Sequence, residues 1–186
     1  ASAKGQELHI LKATNRVNRN QKTILFKKLT ARLGEDLSGV KVAIWGLAFK
    51  PNTDDIREAP SLTLIRLLLN AGADITVFDP EAIENTRQTF GTRIKYATRQ
   101  YHALKEADAL IVVTEWNQFR HPDWNRIQSM MRSHLVFDGR NIYNPNNVES
   151  FGFEYYGIGR GRRPSKGMLC RPPSSQEEPD SSEAIL

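Results

Sequence analysis

The sequence predicts an α/β fold: a Rossmann-like parallel sheet with helices on both faces, preceded by one long helix. Three observations predict it. Short apolar runs rich in Val, Ile and Leu alternate with segments of helical period, the pattern of right-handed βαβ crossovers feeding a buried parallel sheet. Pro and Gly fall at the borders of these segments rather than inside them. The stretch before Gly34 carries no Pro or Gly from Glu7 onward, which suits a single long helix. At 186 residues the chain suffices for one domain with a real core plus appendages.

The elements follow in order. Glu7 to Leu33 is a helix, with Ile10, Val17 and Ile24 seven apart and Leu25, Leu29 and Leu33 four apart, giving an apolar stripe closed by Gly34. Val40 to Gly46 is a first strand, and Pro60 to Gly72 a helix bounded by Pro and Gly. Ala73 to Asp79 is a second strand, Glu81 to Phe90 a helix, and Ile94 to Ala97 a short strand. Gln100 to Ala107 reads as a short helix and Ala109 to Thr114 as a strand of Ala, Leu, Ile and Val. Pro122 to Met131 is helical, His134 to Asp138 a strand, and Phe153 to Ile158 the last strand. Beyond Gly161 the Pro- and Ser-rich composition with mixed charge reads as a disordered tail. The expected division is therefore 1–34 helix, 35–160 sheet domain and 161–186 tail.

Composition excludes several classes. No apolar run is long enough for a membrane span, and residues 1–6 lack a signal-peptide segment, so a cytoplasmic protein is expected. One cysteine, Cys170, excludes a disulfide framework, and it falls in the tail, where nothing would activate it. The four histidines show no metal-ligand spacing. The net charge of +5 comes from residues 1–33, which carry eight Lys and Arg against Glu7 alone, while 34–160 is slightly acidic. A basic helix without aromatic platforms or base-reading motifs argues against nucleic acid.

Ligands of an open parallel sheet bind at the carboxyl ends of its strands. Those ends here are Gly46, Asp79-Pro80, Thr114-Glu-Trp116 and Asp138-Gly-Arg-Asn141. The segment after the first strand, Gly46 to Pro60, is far longer than an ordinary βα loop and carries Lys50, Asp54, Asp55, Arg57 and Glu58. A solvated loop with self-paired charges is the alternative to a binding role. The dinucleotide fingerprint G-x-G-x-x-G is absent, since Leu47, Ala48 and Phe49 follow Gly46.

The run Gly46-Leu-Ala-Phe-Lys-Pro-Asn-Thr-Asp-Asp-Ile-Arg-Glu-Ala-Pro-Ser61 resembles the signature of the C-terminal domain of UDP-glucose 6-dehydrogenases, in the UDP-glucose/GDP-mannose dehydrogenase family. Thr114-Glu-Trp-Asn-Gln-Phe119 and Phe137-Asp-Gly-Arg-Asn-Ile-Tyr143 fit the same family in the same order, so the resemblance covers about residues 5–160. It implies a two-domain enzyme that takes UDP-glucose to UDP-glucuronate in two NAD-linked oxidations through a thioester on a catalytic cysteine. It also implies a central helix that carries a homodimer interface. Phe49 and Lys50 match family positions that contact the nucleotide sugar, Arg140 the arginine that binds its UDP, and Arg57 an arginine that reaches NAD. Lys and Arg suit phosphate oxygens, and an aromatic can line a base or ribose pocket. The family's glycine-rich fingerprint and its catalytic cysteine, lysine and asparagine would lie before residue 1. The expectation is a C-terminal portion that binds UDP-glucose, with no catalytic residue of its own. The alternative is a non-catalytic oligomerisation or nucleotide-sugar-binding module.

Overall fold

The structure, a computed structural model, describes the backbone of residues 9–160 and, in the first helix, the side chains of Thr14 and of residues 16 onward. The expected tail with Cys170, and the Ile10 end of the apolar stripe, lie outside what is described. Helix α1 (His9–Leu33) is followed by β1 (Lys41–Trp45), α2 (Pro60–Asn70), β2 (Asp74–Phe78), α3 (Ile83–Phe90) and β3 (Lys95–Tyr96). Then come β4 (Ala109–Val112), α4 (Trp124–Met130), β5 (Leu135–Asp138), α5 (Pro145–Ser150) and β6 (Glu154–Gly157). All neighbouring strands pair in parallel, in the order β3-β2-β1-β4-β5-β6. β1 and β4 are buried because both sheet faces are covered, which is why their sequences are near-continuously apolar rather than alternating.

The order reverses direction after β3. With right-handed crossovers, α2 and α3 lie on one face, and the segments joining β3 to β6 lie on the other. That leaves β4 and β5 uncovered on the α2 face, and α1 fills the space by packing along α2 and over β5. Leu25 and Leu29 are buried in this seam, and Leu33 packs against the core. The row spaced by four thus covers the chain's own sheet. On the other stripe, Ile24 is partly buried while Val17 is 52% exposed. Arg32 Nε and Nη2 make a two-pronged pair with Glu154 at 2.9 and 2.8 Å, tying the end of α1 to β6. Gly34 closes the helix in the left-handed conformation (φ 95°), its N–H bonding to Thr30 O at 2.8 Å.

The elements differ from expectation chiefly at three points, besides shifts of one or two residues such as the start of α3 at Ile83 and short 3-10 turns at Gly91–Arg93 and Asn117–Phe119. Gln100–Leu104 is a 3-10 turn, shorter than the helix expected to Ala107, and the chain then leaves through Glu106 at φ 56°. α4 starts at Trp124 rather than Pro122, because the Asp123 side chain accepts from Arg126 N and caps it. The short helix α5 was not foreseen; Asn144 caps it and Pro145 stands in its first turn.

Candidate functional site

Three loops leave the carboxyl ends of β1, β4 and β5, which are adjacent strands and flank the point where the strand order reverses. Each loop is held by a buried anchor. Gly46 leaves β1 at φ 92°, and a Cβ there would lie 2.5 Å from Thr114 N, so only glycine allows this approach of the first two loops. Thr114 Oγ1 donates to Ala48 O at 2.7 Å and joins them.

Asp79, buried at the end of β2, organises the first loop. Its Oδ2 accepts from Leu47 N (2.6 Å), Ala48 N (3.2 Å) and Trp116 Nε1 (3.0 Å). Its Oδ1 accepts from Glu81 N and Ala82 N at 2.9 and 2.8 Å. In a dinucleotide-binding crossover the acidic residue near this point takes a ribose hydroxyl, and glycines let the backbone meet the pyrophosphate. Here the carboxylate is saturated by the protein's own N–H groups, and Ala48 and Pro51 stand where the second and third glycines would be. The first crossover therefore does not fit NAD.

Beyond Ala48 the loop turns outward. Phe49 N bonds to Asp55 O at 2.8 Å and closes the tip, leaving the Phe49 ring 53% exposed. Lys50 is exposed beside it, and among the described residues it makes no hydrogen bond or ion pair. The loop returns through Glu58, a non-glycine residue at φ 59°, whose carboxylate accepts from Lys22 Nζ of α1 at 2.6 Å. Between α1 and this loop lies a cleft of about 580 Å³, lined by Asn18, Arg19, Lys22, Phe49, Glu58 and Pro60. Arg57 lines a different cleft with Asp54 and Asn85. Its Nε and Nη2 grip Asp55 at 2.9 and 2.8 Å, which holds the Asp55 carboxyl down at about 2.

At the end of β5, fully buried Asp138 accepts from Arg140 N and Tyr143 N, both at 3.0 Å, and from Tyr155 Oη at 2.9 Å. Burial, and then the Asp138 charge, push the Tyr155 phenol well up, so it stays a donor. The Arg140 side chain is exposed at the rim and pairs with Glu115 from the β4 loop, Nε to Oε2 at 2.5 Å and Nη2 to Oε1 at 2.6 Å. That pairing holds the Glu115 carboxyl below its usual range against a smaller opposing effect of burial.

All four residues singled out in the sequence, Phe49, Lys50, Arg57 and Arg140, thus lie on loops at the carboxyl edge. The structure places Phe49 across a cleft shared with α1 and Arg57 in a separate cleft. Sequence reasoning placed Asp79 and Glu115 at the strand ends but assigned neither of them a role. Asp79 was visible as a lone acid ending an apolar strand, whereas the Glu115–Arg140 pair depends on β4 lying beside β5.

A model of the UDP-glucose/GDP-mannose dehydrogenase family, UDP binding domain, matches residues 43–145. The chain is 42% identical over 153 residues to a UDP-glucose 6-dehydrogenase of Rhizobium meliloti, covering 82% of this chain and 35% of that protein. It is 42% identical over 167 residues to a UDP-glucose 6-dehydrogenase of Pseudomonas aeruginosa, covering 87% of this chain and 37% of the relative. Among solved structures, a UDP-glucose dehydrogenase from Pyrobaculum islandicum superposes with a TM-score of 0.67 at 37% identity, over 76% of this chain and 31% of that one. The chain spans about a third of the length of these relatives. With the six-stranded sheet and the matched segment that begins in β1 and ends in α5's first turn, the chain belongs to the UDP-glucose/GDP-mannose dehydrogenase family, as its UDP-binding domain.

Proposed function

We propose that residues 35–160 bind UDP-glucose at the carboxyl edge of the sheet, through Phe49, Lys50 and Arg140. The observation that carries this reading is an exposed Phe49 followed in sequence by an exposed Lys50 with no hydrogen bond or ion pair among the described residues, on a loop that buried anchors hold in place. A ring face offers a surface to a base or ribose, and the ammonium and the Arg140 guanidinium are donors for a diphosphate. The wider activity proposed is the NAD-linked oxidation of UDP-glucose to UDP-glucuronate, in nucleotide-sugar and polysaccharide biosynthesis, in the cytoplasm. NAD supplies hydride acceptance in that reaction. The residues here hold the nucleotide end of the sugar, and Arg57, exposed on the rim, reaches toward NAD carried by another domain. The partner is a nucleotide sugar and not nucleic acid. Among the described residues no helix is long and apolar enough to cross a membrane.

Calorimetric titration of the chain with UDP-glucose tests the reading. Arg140→Ala is expected to weaken binding roughly 10- to 100-fold, the loss of hydrogen bonds to a charged group, and Lys50→Ala less. Affinity unchanged by both substitutions, or no binding by the folded wild type, overturns it.

A second reading concerns α1, proposed to carry a homodimer interface. Val17 is half exposed, and residues 16–21 are all exposed, whereas Leu25 and Leu29 further along the helix are buried. Sedimentation velocity of the wild type should show a dimer that Val17→Glu converts to monomer; a monomeric wild type refutes the interface.

A further inference from the structure

We infer that Glu115 is a positioning residue, which fixes the Arg140 guanidinium so that its open end faces the diphosphate of the ligand. The inference rests on the reading that Arg140 contacts the nucleotide. A guanidinium has two hydrogen-bonding forks: one from Nε and Nη2 along its side, the other from Nη1 and Nη2 at its end. Glu115 occupies the side fork with both carboxylate oxygens, at 2.5 and 2.6 Å. Among the described residues nothing bonds to Nη1, so the end fork is the one left for phosphate oxygens.

Glu115 is suited to hold rather than to swing away. Its two chain neighbours are buried and tied: Thr114 to Ala48 O at 2.7 Å, and Trp116 to Asp79 at 3.0 Å. The parallel register sets Val112 opposite Asp138, so the loops bearing Glu115 and Arg140 leave neighbouring strand ends side by side. Arg140 N is fastened in turn to Asp138. The backbone is therefore fixed at both ends of the ion pair, and the pair fixes the long, otherwise mobile arginine side chain. Ordering such a side chain before binding removes a cost of about 0.5–1.5 kcal/mol from association, which converts to roughly two- to tenfold in affinity. A carboxylate that merely competed with the ligand would have the opposite effect, and its removal would tighten binding.

The test is a double-mutant cycle on the full chain, titrated with UDP-glucose and with UDP, alongside spectra of ¹⁵N-arginine-labelled protein. Glu115→Ala is expected to weaken both ligands roughly two- to tenfold. Glu115→Gln, which keeps one acceptor oxygen, should fall between Ala and wild type. The Arg140 Nε–H signal, assigned by its loss in Arg140→Ala, should shift and broaden in Glu115→Ala while the backbone spectrum stays dispersed. In the Arg140→Ala background, removing Glu115 should weaken binding no further, whereas a general structural role would cost affinity in either background. If Arg140→Ala weakens binding but Glu115→Ala leaves it equal or tighter, this inference alone is overturned. If Arg140→Ala has no effect, or the wild type does not bind, the nucleotide assignment falls and this inference with it.

Discussion

The two edges of the sheet use buried aspartates in different ways. At the amino edge charges cancel one another: Asp108 is held by Arg132, Lys41 pairs with Glu106 at 2.6 Å and Lys95 with Asp74 at 2.5 Å. A cleft of about 480 Å³ opens there, yet four of the charged groups around it, Lys41, Glu106, Asp74 and Lys95, are already satisfied within the protein. At the carboxyl edge, Asp79 and Asp138 accept chiefly from loop N–H groups instead of cations. The positive side chains above them are left at the rim, Lys50 unpaired among the described residues and Arg140 gripped on one side only. The clefts at the two edges are of similar size, about 480 and 580 Å³, so the difference between the edges lies in how their charges are used. What marks the carboxyl edge is that its two buried acids, Asp79 and Asp138, shape the loop backbone, while ion pairs there, such as Arg57 with Asp55, lie at the surface.

The sharpest way to break this contrast is Asp79→Ala. It strands five N–H donors, four of the backbone and one of Trp116, and should cost on the order of 3–5 kcal/mol in urea unfolding. A cost near that of an ordinary surface substitution would show that the loop does not need its anchor. Arg132→Ala is the counterpart at the amino edge, expected to cost about 1–2 kcal/mol because Asp108, with only 10% of its side chain exposed, loses its cation but keeps the Lys41 N–H bond.

The pH response separates the edges further. Burial alone would raise the Asp108 carboxyl, but the Arg132 and Lys41 hydrogen bonds outweigh it and leave its pKa below the ordinary 3.8. A carboxyl depressed by folding stabilises the folded state fully above its unfolded pKa, and that contribution is lost as pH falls through the lower folded value. Wild type should therefore lose stability on acidification below about pH 4 more steeply than Arg132→Ala, as followed by urea midpoints across that range. Equal slopes would remove Arg132 as the cause of the depression.

Much of the fold was legible in the sequence, because its signals are local. Pro60 and Gly72 bracket α2, and the apolar run from Ala109 marks β4, since such features report on the residues that carry them. α5 escaped because six residues with Val148 as their only buried side chain show no period; its signal was the Asn144-Pro145 start. The expected helix at Gln100 became a 3-10 turn because Glu106 leaves helical geometry and bonds through its N–H to Met130 O, a partner no local pattern announces. The same limit applies at the site. Phe49, Lys50, Arg57, Arg140 and Glu115 all sit within recognisable motifs, but the pairing of Glu115 with Arg140 emerges only when β4 and β5 are laid side by side.

Gly139, between Asp138 and Arg140, has a consequence for the order in which the chain is built. A Cβ there would lie 2.8 Å from both Leu25 Cδ1 and Val112 O, so helix, β4 and the β5 loop meet at one point. α1 is the first described element to be synthesised, but this part of its seat exists only after the chain has reached β5. During synthesis α1 can rest on α2 early and must wait for β5 before Leu25 is enclosed. The seat of Leu25 on Gly139 therefore cannot close before β5 and the loop that carries Arg140 are in place.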